Sequence, residues 1–89
     1  MNKLKAYAEA QISTIIPQFD NLELRATVSD TSYSVEFFVS LNGARKQCYE
    51  LADDGVLDED ALNRVLSSIA NFIRNDAGYK AGSVNKISF

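Results

Sequence analysis

Hydrophobic and polar positions along this chain follow two periods, one near 3.6 residues and one of two. Between residues 2 and 16, Leu4, Ala8, Ile12, Ile15 and Ile16 fall on one helical face, with Lys3, Lys5, Glu9 and Gln11 elsewhere. Pro17 closes that helix, because its ring blocks the hydrogen-bond ladder and drives Ile16 out of helical geometry. From Leu22 to Val28 the period drops to two. Leu22, Leu24, Ala26 and Val28 share one side and Glu23, Arg25 and Thr27 the other, as in a half-buried strand. Ser29-Asp30-Thr31-Ser32 supplies turn residues. A second strand spans Tyr33 to Leu41, with Tyr33, Val35, Phe37, Val39 and Leu41 inward. Phe38 interrupts the polar outer side of that strand, either covering a second apolar patch or offering a contact to a partner.

Asn42-Gly43 predicts a hairpin, since both central positions of a type I′ turn need positive φ. The third strand is expected from Ala44 to Leu51, where the pattern conflicts with a strict two-residue turn. That register sets Val39 opposite Lys46, Phe37 opposite Cys48 and Val35 opposite Glu50, putting two charges on the core face. A three-residue loop with a bulge at Gly43 shifts the pairing by one. Tyr49 and Leu51 then point inward beside Val35 and Phe37, with Arg45 and Gln47 inward near the sheet end. The bulged form is the expected one.

The segment Glu50 to Asp60 carries Glu50, Asp53, Asp54, Asp58, Glu59 and Asp60, six of the twelve acidic side chains, and no basic one. Asp58 is the expected N-cap of the following helix, whose first turn takes Glu59 and Asp60 where carboxylates complement the dipole. Leu62, Val65, Leu66, Ile69, Phe72 and Ile73 then form the largest apolar stripe in the chain, with Asn63, Arg64, Ser67, Asn71 and Arg74 opposite. Asn75-Asp76-Ala77-Gly78 is a stop signal, with Gly78 the candidate left-handed cap. A final strand is expected within Ser83 to Phe89. The predicted order is αβββαβ, an α+β fold in which two helices pack on one face of an antiparallel meander.

Eighty-nine residues suit one domain, residues 1–89, with one small core. No apolar run is long enough to span a bilayer. Tyr7, Glu9, Gln11 and Ser13 interrupt what would be the apolar part of a secretory signal, so a mature start at Met1 and a cytoplasmic location are expected. The absence of histidine removes imidazole-based triads, imidazole general bases and the commonest zinc ligands. Cys48, the single cysteine, has no activating neighbour and reads as a buried structural thiol. With Gly55 at the sixth position of a calcium loop, Ala52 and Ala61 would fall at the third and twelfth, so the acidic segment is no such loop. A net charge of −3 and isolated glycines leave neither a nucleic-acid stripe nor a phosphate loop. Outside residues 50–60 the chain is net positive. Its charge is segregated in a way that acts on encounter with partners. Tyr33, Tyr49 and Tyr79 could serve an interface, after their roles in strands and core.

Ile15-Ile16-Pro17-Gln18-Phe19, the strand Leu22 to Val28, Tyr33-Ser34-Val35-Glu36-Phe37-Phe38-Val39, a glycine turn, a tyrosine-bearing strand, an acidic connection and a long helix follow in order. Over residues 4–75 this arrangement resembles the YezG-type immunity proteins of bacterial polymorphic toxin and contact-dependent growth inhibition systems. The resemblance implies a cytoplasmic protein that neutralises one cognate toxin domain, often a basic nuclease. It implies no enzymatic activity, cofactor or metal, no direct nucleic-acid or membrane contact, and a monomer or weak dimer. The expected partner-binding residues are Glu50, Asp53, Asp54, Asp58, Glu59, Asp60 and Phe38. The competing expectation is a small acidic secretion chaperone that binds an effector, which would be an obligate dimer.

Overall fold

The structure, a computed structural model, describes residues 2–89. Its elements run α1 (Asn2–Ser13), β1 (Asp20–Val28), β2 (Tyr33–Leu41), β3 (Ala44–Gln47), α2 (Cys48–Asp53), α3 (Glu59–Arg74) and β4 (Asn85–Ser88). The strands form one antiparallel sheet in the order β3-β2-β1-β4, and the helices cover one face of it, an α+β fold. The apolar stripe of α3 is the centre of the core: Leu62, Val65, Leu66, Ile69, Ala70 and Ile73 are all buried. They meet the inward side of β1 and β2, where Leu24, Ala26, Val28, Val35, Phe37 and Val39 are buried in turn, while Leu4, Ala8 and Ile12 of α1 close the layer. Among the described residues the buried set contains no polar or charged side chain, so apolar burial alone drives this packing.

The helix ends depart from their expected places in instructive ways. α1 stops at Ser13, and Ile15 and Ile16 close it through a last tight turn in which both their N–H groups donate to the Ile12 carbonyl at 3.0 and 2.8 Å. Asp58 caps α3 as expected, its Oδ2 accepting from the Ala61 N–H at 2.9 Å. Gly78 is not the left-handed cap. The Asn75 N–H closes α3 onto the Asn71 carbonyl at 3.1 Å, and Gly78 donates to Asp76 Oδ2 at 2.8 Å.

The hairpin after β2 corrects the expected register. Asn42 and Gly43 have φ of 52° and 84°, which makes a type I′ turn of two residues. Leu41 faces Ala44, Ser40 faces Arg45, Val39 faces Lys46 and Phe38 faces Gln47, so no bulge occurs at Gly43. Two features remove the charge conflict that favoured a bulge. Lys46 sits beside Val39 at the margin of the core and extends its ammonium to within 3.6 Å of Glu50. Then the strand ends at Gln47, four residues before the expected Leu51, and an additional helix, α2, begins. The Gln47 side-chain oxygen caps α2, accepting from the Tyr49 and Glu50 N–H groups at 2.7 and 3.2 Å. Cys48 and Leu51 turn inward on α2, whereas Tyr49 is 46% exposed instead of lying beside Phe37. Arg45 and Gln47 point to the outer face of the sheet.

At the opposite edge β4 pairs with β1, and Phe89 exchanges hydrogen bonds with Leu24 at 2.9 and 3.0 Å. The segment before β4 is tied to the β1–β2 turn. Asp30 accepts from the Tyr79 hydroxyl at 2.6 Å and from the Gly82 N–H at 2.8 Å, while Arg74 donates to the Ser29 and Ser32 carbonyls at 2.9 and 3.1 Å.

Candidate functional site

Six of the seven expected partner-binding residues gather where α2 passes into α3. The corner between the helices is held from beneath: Leu51 and Leu57 are buried, and the Val56 and Leu57 N–H groups both donate to the Leu51 carbonyl at 2.9 and 3.3 Å. Gly55 makes the reversal with φ of 78°, a conformation that costs a side-chain-bearing residue energy. The carboxylates stand on this anchored corner in solvent. Glu50 has Lys46 as a loose partner at 3.6 Å, and Asp58 is engaged as the cap. Asp53, Asp54, Glu59 and Asp60 are exposed and have neither an ion pair nor a side-chain hydrogen bond among the described residues. Their positions differ in cost. Glu59 and Asp60 occupy the first turn of α3, where the exposed N–H groups favour negative charge. Asp53 and Asp54 lie at the C-terminal end of α2, the negative pole of that short helix, which disfavours further negative charge. Among the described residues no three acidic side chains converge in a way that could hold a metal ion.

Phe38, the seventh residue, is not part of this corner. It lies half-buried on the outer face of the sheet, between cross-strand neighbours Glu23 and Gln47. The Arg45 guanidinium lies 3.9 Å from the ring centroid and that of Arg25 lies 5.7 Å away. Arg45 reaches across the ring to Glu23 at 2.7 Å, and this contact holds the Glu23 carboxyl below its ordinary pKa. Gln47 donates to Glu36 at 3.4 Å beside it. Phe38 thus serves as the platform of a polar cluster that satisfies itself.

Cys48 is buried at the start of α2. Burial pushes its thiol pKa up, which keeps it protonated and unreactive at neutral pH. A cleft of ≈ 1220 Å³ opens between α1 and the start of β1, lined by Glu9, Phe19, Leu22 and Leu41 among others, and it contains none of the corner carboxylates. Two surface features that the sequence ranks behind the acidic segment stand out in the structure. Tyr33 and Tyr49 are 43% and 46% exposed, and burial together with the nearby Cys48 and Tyr33 raises the Tyr49 phenol. The outward side of α3 carries Asn63, Ser67, Asn71 and Asn75 at intervals of one helical turn; that spacing was its available signal.

No helix among the described residues is long and apolar enough to cross a membrane. Comparison of the chain with protein-family models, with curated proteins and with solved structures gives no match.

Proposed function

We propose that this protein is an immunity protein, which binds one cognate toxin domain in the cytoplasm and neutralises it without catalysis of its own. The observation that carries this reading is the pair Asp53 and Asp54. They are exposed and have no ion-pair partner among the described residues, and they stand at the helix end where negative charge costs stability. A charge kept at a stabilising position needs no further reason, but one kept at a destabilising position is accounted for by a partner. The resemblance over residues 4–75 supplies the kind of partner. Nuclease sites are basic because they hold phosphates, so an acidic corner on a fixed turn complements them and speeds encounter. In this reading the protein works as a monomer or weak dimer.

The test is co-expression with the toxin domain encoded immediately upstream, followed by association rates of the wild type and of the Asp53→Lys, Asp54→Lys double variant. The wild type should protect. The double variant should associate about tenfold more slowly at low salt, with the difference shrinking as salt screens the charges. Unchanged association removes the corner from the interface, and failure of the wild type to protect removes the immunity reading. An obligate dimer in sedimentation would favour an effector chaperone instead.

A further inference from the structure

We infer that the outward face of α3 is the central contact of that interface, and that the toxin domain lies along the helix with its basic surface at the acidic end. This inference rests on the proposed immunity function. Its first support is composition. Between Ala61 and Asn75 the helix has no Lys, Asp or Glu, and its solvent side presents Asn63, Ser67, Asn71 and Asn75 in line. α1, by contrast, turns Lys3, Lys5 and Glu9 to solvent. Interface centres are depleted in Lys, Glu and Asp and enriched in aromatic residues and Arg, whereas a helix face meant only for water has no reason to shed its charges.

Its second support is what flanks the line. Tyr7 of α1 stacks on Phe72 with ring centroids 4.3 Å apart, and its hydroxyl is hydrogen-bonded to Ser68. On the other side stands Tyr33, 43% exposed at the start of β2. Together with Asn63, Ser67 and Asn71, these aromatic residues line a shallow groove of ≈ 710 Å³. The Tyr7 ring is already fixed by its stack and its hydrogen bond, so little side-chain freedom is lost when a partner covers it. Arg64 lines the same groove, is exposed, and forms no ion pair among the described residues, which leaves it for a carboxylate of the partner.

The third support is charge complementarity along one element. Asp58, Glu59 and Asp60 open the helix, and Asp53 and Asp54 stand on the turn before it. A partner with a basic patch finds the acids at that end, and its uncharged surface settles over the amide and aromatic stretch beyond. The two parts act on different steps. The acids set the rate of encounter, and the groove sets the lifetime of the complex.

Ser67→Arg and Asn71→Arg place bulk and charge in the groove without touching the buried stripe. Kinetics with the upstream toxin domain, on variants whose thermal unfolding matches the wild type, should show affinity reduced about 100-fold through faster dissociation, with little dependence on salt. Asn63→Arg provides the same reading should either variant fail to fold. Wild-type dissociation rates in the folded variants overturn the groove and leave the immunity function standing. A wild type that does not bind the toxin domain overturns both.

Discussion

The outer face of the sheet and the α2–α3 corner are both charged surfaces, yet they treat their charges in opposite ways. On the sheet, Glu23 is matched by Arg45, Glu36 receives Gln47, and the Phe38 ring lies against the Arg25 and Arg45 guanidinium groups. At the corner, Asp53, Asp54, Glu59 and Asp60 have no such partners among the described residues. The difference follows from the backbone. Side chains on one face of a sheet stand side by side, and a long one such as Arg45 spans the intervening strand to reach Glu23, so opposite charges on a sheet can meet. Helix ends separated by a turn splay their side chains outward, and a run of one sign cannot pair within itself. An acidic surface that solves no local problem is the better candidate for recognition, and a polar surface that solves its own is the poorer one.

Four substitutions test this contrast, beginning beneath it. Ile69→Ala strikes beneath both surfaces, since Ile69 is fully buried on α3 against the sheet. We expect a loss of about 2–5 kcal/mol in chemical denaturation, a large share of the stability of a chain this size. The Asp53→Lys, Asp54→Lys pair should separate function from stability. With cations replacing anions at the C-terminal end of α2, we expect unfolding free energy to hold within about 0.5 kcal/mol or rise, even as association slows. A marked fall in thermal midpoint would show that these carboxylates have a structural task after all. Glu23→Gln acts on the self-satisfied face and should leave toxin binding unaltered and stability little changed, because exposed ion pairs contribute little. Weakened binding would return the Phe38 cluster to the interface.

The smallest effect expected is one of pH. The Tyr79 hydroxyl and the Gly82 N–H hold the Asp30 carboxyl below its ordinary pKa. Its contribution is therefore present above the unfolded aspartate pKa and disappears as pH falls through the lower, folded value. Protection factors at Tyr79 and Gly82, taken relative to the intrinsic exchange rate at each pH, should fall on acidification below about pH 4, and Asp30→Asn should flatten that dependence. Protection factors that do not change with pH in either protein would mean that Asp30 does not hold this segment.

β1, β2 and α3 were legible because each buries one side over at least seven residues, long enough for its period to show. Ala44 to Asp53 was not. Cys48 and Leu51, three positions apart, suit one helical turn, whereas Tyr49 and Leu51, two apart, suit a slipped strand, and the cap that decides between them is a glutamine side chain. The charges expected to oppose a two-residue turn were settled by length: Lys46 reaches out of the core, and the strand ends before Glu50 would face Val35. The location of the corner carboxylates could be read directly, whereas their lack of partners could not, because pairing across elements depends on tertiary geometry. Phe38 was placed on the correct face, but its enclosure by Arg25 and Arg45 depends on how three strands align.

The placement of β4 also bears on the order of folding. β1 meets β2 through a turn of four residues, whereas Arg25 must wait for Ser88 across most of the chain. Closing that long loop costs entropy that only a structured remainder can offset, so β4 docks after the meander and α3 have come together. Until then the side of β1 from Leu24 to Val28 is an open template, apolar on its inward side, on which another chain's strand could settle. Lys86, at the middle of the late strand, puts a charge on the finished edge, so the hazard is confined to the interval before β4 arrives.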